Sequence, residues 1–153
     1  MHIKQIMTAK VATCRPESDL ASVAKLMWDN DCGFVPVIDT AGRVLGVLTD
    51  RDICIASATR RLLPEQIKAI DAMTRAVQTC LADDSIETVL AAMKQYRVRR
   101  LPIVGTDGTL KGVVSMNDIV MAADKRQGPE AGAIVSALAG ICAHRPPKSV
   151  AAA

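Results

Sequence analysis

The chain writes one octapeptide twice, GVLTDRDI at residues 46–53 and GVVSMNDI at residues 112–119, an offset of 66 residues. Thr49 gives way to Ser115 and Arg51 to Asn117, while Asp52 recurs as Asp118. The same offset aligns Met7-Thr8 with Met73-Thr74, Thr13-Cys14 with Thr79-Cys80, Met27 with Met93, and Pro36 with Pro102. No gap is needed between residues 7 and 57, and about fifteen of these fifty-one positions are identical. Solenoids need three or more such units. Two copies predict a pseudo-symmetric pair sharing one core.

Each copy has the same local pattern. Leu20, Val23, Ala24 and Met27 fall on one face of a helix, and Ile86, Val89, Leu90 and Met93 repeat them. Ser18 and Asp84 are the expected N-caps, with Asp84 and Glu87 at capping-box spacing. Next come the apolar runs FVPVI and RLPIV, a turn holding Gly42 or Gly108, and then VLGVLT or LKGVVS, which predict a hairpin. Pro36 and Pro102 have no N–H, so the first hairpin strand must be an edge or locally unpaired there. A second helix is expected just after Thr49 and Ser115. The unit is thus short strand, helix, strand, strand, helix, in the mixed α/β (α+β) class.

The first copy is assigned to residues 1–57 and the second to 73–124, with a linker at 58–72 too short for the copies to act as separate beads. In the tail, 125–153, Pro129 is placed to open a helix. Ile134, Val135, Leu138, Ile141 and Cys142 form its expected apolar stripe, suited to core or oligomer packing, and Pro146-Pro147 ends it.

Composition narrows the function. Half of the 153 residues are hydrophobic but only 2% aromatic, so the core must be aliphatic. A net charge of +3 gives no footing for a nucleic-acid or membrane partner. The five cysteines make no C-x-x-C, and the two histidines are His2 and His144, which argues against a zinc site or a disulfide framework. MHIKQIMT has no signal-peptide core, and AGAIVSALAGICA is too short to span a bilayer. The expectation is a cytoplasmic protein with reduced thiols and no membrane segment.

The octapeptide reduces to Gly-x-x-[Thr/Ser]-x-x-Asp at a strand-to-helix junction. A glycine late in the strand admits another group close to the backbone. Thr49 and Ser115 sit at a helix start, where free N–H groups favour an anion such as phosphate. Asp52 and Asp118 can accept from the paired hydroxyls of a ribose. The same spacing is also that of a capping box, and spacing alone leaves both readings open. Neither a Walker loop nor a G-x-G-x-x-G occurs.

These elements resemble tandem CBS domains, a Bateman module. The matching residues are Met7-Thr8, Val35-Pro36-Val37, Gly42 and 46–53, then Met73-Thr74, 99–103, Gly108 and 112–119. The resemblance spans about residues 3–124. It implies two β-α-β-β-α units packed about a pseudo-twofold axis, two clefts for adenosine-containing ligands, and a flat homodimer. By resemblance, Asp52 or Asp118 holds ribose, and Thr49 or Ser115 approaches phosphate. Thr13 or Thr79, with Val35-Pro36 or Leu101-Pro102, frames the base. Arg51 and Asn117 lie inside the motifs as further phosphate contacts. Arg99 and Arg100 replace Gly33 and Phe34, giving the second copy's side more charge for polyphosphate.

The resulting expectation is a stand-alone sensor. It binds AMP, ADP, ATP, NAD or S-adenosylmethionine, needs no catalytic cofactor, and signals to an unidentified protein effector. Its chief rival is a ligand-free module that dimerises through its helices. An enzyme is disfavoured, since no histidine lies in either repeat and no cysteine has an evident base.

Overall fold

A computed structural model describes residues 1–125 and 128–143. The predicted stripes form α1 (Leu20–Asp29), which buries Leu20, Val23 and Met27, and α4 (Ile86–Tyr96), which buries Ile86, Val89, Leu90 and Met93. Their caps fall one residue later than expected. The Asp19 carboxylate accepts from the Ser22 N–H at 2.8 Å, and the Ser85 hydroxyl accepts from the Thr88 N–H at 3.2 Å. Ser18 and Asp84 instead close the preceding turns, accepting from the Arg15 and Leu81 N–H groups. Each junction offers two cap-competent residues in a row, and the one adjoining the first helical residue takes the cap.

In the first repeat, β1 (Phe34–Ile38) runs antiparallel to β2 (Val44–Thr49). In the second, β4 (Arg100–Val104) runs antiparallel to β5 (Leu110–Ser115). The short leading strand is β3 (Cys80–Leu81), parallel to β4; in the first repeat it shrinks to one bridge between Cys14 and Val37. β4 is therefore central, not an edge. Pro102 is accommodated because β3 pairs only Ile103 and Val104, leaving the proline nitrogen outside the ladder. Around Pro36, Cys14 donates to the proline carbonyl at 3.1 Å and accepts from Ile38 at 3.0 Å, so the proline nitrogen is bypassed. Gly42 and Gly108, both at φ +79, make the hairpin turns, a left-handed conformation that glycine adopts without Cβ strain.

The repeats hold each other by reciprocal exchange. Thr8 and Val113 trade two backbone hydrogen bonds at 2.9 and 3.0 Å, and Thr74 and Val47 do the same at 2.9 and 3.0 Å. Ile3 from the N-terminus is consequently buried in the second core. Ile67 and Ala69, from the stretch joining the repeats, are buried in the first, where Ala69 opens the short α3 (Ala69–Ala72). The hairpin tips also pair, Val44 donating to the Gly108 carbonyl and Leu110 to that of Gly42. The octapeptide glycines make this exchange possible. A Cβ on Gly112 would lie 2.7 Å from the Thr8 carbonyl oxygen, and one on Gly46 would lie 3.0 Å from that of Thr74 and overlap the Met73 thioether.

Two helices follow the hairpins, α2 (Asp50–Thr59) and α5 (Met116–Asp124), and the chain continues into α6 (Ala131–Cys142). Glu130 is the α6 N-cap, so Pro129 stands just before the helix and not inside its first turn. The apolar stripe also differs from expectation. Ile134 and Ala137 are buried, with Leu138 and Ile141 packed beside them, whereas Val135 is 64% exposed and Cys142 is exposed. At 3.6 residues per turn, the face begun by Ile134 continues through Ala137, Leu138 and Ile141 and leaves Val135 about 100° away. This face lies on α4 and α5. The Lys94 stem lies where a side chain on Gly140 would project, and its Nζ donates to the Ser136 hydroxyl at 3.0 Å. Pro146-Pro147 lies outside the described residues.

Two predictions follow from this packing. Gly46→Ala and Gly112→Ala should each destabilise the fold by about 1–3 kcal/mol in urea denaturation, because the added methyl meets backbone that cannot move freely. Gly132→Ala, whose Cβ meets nothing within 4 Å, should hold or raise stability by helix propensity. Secondly, the buried Cys14 and Cys80 thiols are pushed up to about 11, mainly by burial and further by Glu17 and Asp84 respectively. With iodoacetamide at pH 8, mass spectrometry should find Cys54 and Cys142, both exposed, alkylated first. Cys14 and Cys80 should react only on unfolding.

Candidate ligand-binding site

Both octapeptides end in the same junction. Asp52 Oδ2 accepts from the Thr49 N–H at 2.8 Å and from the Thr49 hydroxyl at 2.7 Å, while the Asp52 N–H donates back to Thr49 Oγ1 at 3.2 Å. Asp118 and Ser115 reproduce this at 2.7, 2.6 and 3.3 Å. The capping box is therefore formed twice. Each box uses one carboxylate oxygen; Oδ1 of Asp52 and of Asp118 makes no hydrogen bond among the described residues. A single Asp side chain can thus cap its helix and still offer an acceptor to a ligand hydroxyl.

The expected open anion seat at the helix start is mostly filled. In α2 the Asp50 N–H donates to the Gly33 carbonyl at 3.4 Å, and the Arg51 N–H donates to the Asp50 carboxylate at 2.8 Å. The Asp52 N–H is taken by Thr49, so an internal carboxylate already occupies the place an incoming anion would use. In α5, Met116 donates to the Arg99 carbonyl at 2.9 Å, and of the first three N–H groups that of Asn117 has no partner among the described residues.

The crossing segments decide how the clefts are composed, since each cleft joins the octapeptide of one repeat to the other repeat. The larger, about 690 Å³, brings Thr49, Arg51 and Asp52 together with Arg99, Arg100, Leu101 and Pro102. The smaller, about 360 Å³, brings Ser115, Asn117 and Asp118 together with Thr8, Lys10 and Asp31. Arg100 and Phe34 line both. Arg97 and Arg99 of the second repeat therefore line the Asp52 cleft, while Arg100 lies between the two, so charge is divided by cleft and not by repeat.

Other candidate residues lie elsewhere. Thr13 and Thr79 are absent from both linings, their places being taken by the neighbouring Ala12 and Gln78. Val35 and Pro36 are buried in the first sheet and do not line the smaller cleft, although their counterparts Leu101 and Pro102 line the larger. Copy-by-copy reading missed Tyr96, Arg97 and Ile141 in the larger cleft and Lys10 and Asp31 in the smaller. The signal for them is the exchange of crossing segments, which no local motif encodes. Ile141 comes from α6, whose Cys142 Sγ lies 3.6 Å from the Arg99 guanidinium, so the helix forms part of the larger cleft's wall. Among the described residues, no three His, Cys, Asp or Glu side chains gather as a metal site, and no helix is long and apolar enough to cross a membrane.

Comparison with known proteins agrees with this architecture. The family model for the CBS domain matches residues 3–59 and 67–125. The chain is 32% identical over 139 residues to hypoxic response protein 1 of Mycobacterium tuberculosis, covering 91% of this chain and 92% of that protein. The crystal structure of Hypoxic Response Protein I with two coordinated zinc ions superposes with a TM-score of 0.73 at 30% identity, over 79% of this chain and 98% of that one. The CBS domain pair of protein MJ0100, in complex with 5′-methylthioadenosine and S-adenosyl-L-methionine, superposes with a TM-score of 0.72 at 25% identity, over 80% and 99% of the two chains. Homoserine O-acetyltransferase of Methanococcus vannielii is 29% identical over 117 residues, but the chain spans only 24% of that enzyme. With both repeats matched and a relative aligned along nearly its whole length, the chain belongs to the CBS domain family as a tandem pair.

Proposed function

We propose that this protein is a regulatory module that binds an adenosine-containing ligand between its repeats and passes occupancy to a protein effector through a change of shape. The observation that carries the reading is the double use of Asp52 and Asp118: each satisfies a helix cap with one oxygen, leaves the other without a hydrogen-bond partner among the described residues, and lines an inter-repeat cleft. Clefts of about 690 and 360 Å³ fall within the range of small-ligand sites. The adenosyl ligands of the MJ0100 pair point to the same class. Because each cleft is walled by both repeats, a ligand that prefers one arrangement of the repeats shifts their equilibrium, with coupling typically about 1–3 kcal/mol. This reading assigns the chain no catalysis of its own and places it in the cytoplasm, where its five cysteines stay free thiols.

Pairing with a second copy is also part of the proposal. Trp28 is 86% exposed beside a hollow of about 410 Å³ between α1 and α2, and Ile55 of α2 is 53% exposed. Apolar groups of this size, uncovered on adjacent helices, suit a helix-to-helix contact.

Titration calorimetry tests the ligand site. Asp52→Ala and Asp118→Ala should each weaken binding at its own cleft by about 10–100-fold, since a hydrogen bond to a charged group contributes about 1.5–3 kcal/mol. Both should also cost roughly 0.5–2 kcal/mol of stability through the lost box. Ser85→Ala, which removes a cap outside either cleft, should show a similar stability loss with ligand affinity unchanged. An Asp variant that matched Ser85→Ala in both respects would reduce the octapeptide to a cap. In sedimentation, Trp28→Asp should shift a dimer towards monomer, and an unchanged dimer would place the contact on another face.

A further inference from the structure

We propose that the two clefts are specialised for different ligands: the Asp52 cleft takes an adenosyl ligand bearing a diphosphate or triphosphate, and the Asp118 cleft takes one bearing at most a single phosphate. The inference rests on the adenosyl-binding reading and assigns a ligand class to each cleft.

The internal pseudo-symmetry provides its own comparison. At positions related by the 66-residue offset, Arg51 corresponds to Asn117, Arg97 to Asp31, Arg99 to Gly33 and Arg100 to Phe34. All four arginines line the larger cleft. Of their counterparts, Asn117, Asp31 and Phe34 line the smaller one. One substitution reverses charge outright, and the others remove it. In the larger cleft, four arginines against Asp50 and Asp52 leave a formal charge of +2. In the smaller, Lys10 and the shared Arg100 against Asp31 and Asp118 leave zero. Guanidinium groups match phosphate oxygens in pairs, and several together suit a chain of phosphates better than a single one.

Backbone and volume agree with the charge. The first three N–H groups of α2 are engaged internally, so phosphates in the larger cleft must be met by side chains. At α5 the Asn117 N–H is open, which offers one phosphate a hydrogen bond while Asp31 lines the same cleft and opposes further negative charge. The larger cleft also has the room, at about 690 against 360 Å³. Arg97 sits at φ +55, a left-handed conformation that costs a non-glycine residue free energy, so its side chain and its backbone make opposite demands.

That conflict supplies the test. Titration calorimetry with ATP, ADP and AMP is run on the whole protein and on Asp52→Ala, Asp118→Ala and Arg97→Gly, alongside thermal denaturation. ATP affinity should fall about tenfold or more in Asp52→Ala and stay within about twofold in Asp118→Ala. Arg97→Gly should lower the ratio of ATP to AMP affinity several-fold while its melting temperature holds or rises, which no merely structural role for Arg97 would produce. ATP binding should also weaken with salt more steeply than AMP binding. Loss of ATP binding in Asp118→Ala but not in Asp52→Ala would overturn the assignment and leave the adenosyl reading standing. An unchanged ATP-to-AMP ratio in Arg97→Gly would also overturn it. Absence of binding by all three nucleotides would overturn the assignment, and the same silence towards S-adenosylmethionine and NAD would sink the adenosyl reading with it.

Discussion

The reciprocal backbone pairing of Thr8 with Val113 and of Thr74 with Val47 governs the rest of the molecule. Four hydrogen bonds tie the start of each repeat to the second hairpin strand of the other. Ile3 and Ile67 are carried by the same crossings into cores that belong to the opposite repeat. Neither core is complete without the partner repeat's segment, and so the duplication yields one cooperative body. The crossing also walls the clefts, because the residues that follow Thr8 and Thr74 run past the opposite octapeptide. Glycine at positions 46 and 112 is the condition for all of this, since the strand it belongs to must be approached by backbone.

In the proposed function, stability and recognition share atoms at the octapeptide. The box between Thr49 and Asp52, or Ser115 and Asp118, fixes the carboxylate's orientation before any ligand arrives, so its free oxygen is held in place by the helix start itself. Such preorganisation lowers the ordering cost of binding. Around this common element the two clefts have diverged, one gathering four arginines and the other balancing two basic against two acidic residues.

Much of this was legible in the chain because the duplication supplied two readings of every position. Elements governed by local rules followed their patterns: the stripes of α1 and α4, the hairpins turning at Gly42 and Gly108, and the helices starting after Thr49 and Ser115. What escaped was non-local or degenerate. Ser18-Asp19 and Asp84-Ser85 each held two competent caps, and pattern alone could not choose between them. In α6, Val135 and Cys142 fit an apolar list but not the buried angle, which packing on α4 selected. The grouping of Arg99 and Arg100 with Asp52 follows from segments crossing between repeats, a fact of topology that no repeat contains by itself.

α6 breaks the symmetry that the duplication created. Trp28 of α1 has Lys94 of α4 as its counterpart across the pseudo-twofold, and Lys94 lies against Gly140 and Ser136 of α6. Among the described residues, the surface equivalent to the hollow beside Trp28 is therefore covered by α6. A self-complementary contact made through one face closes at two copies, whereas a subunit with two such faces can join neighbours on both sides. By covering one of two inherited surfaces, the added helix sets the valence of any contact made through Trp28 at one.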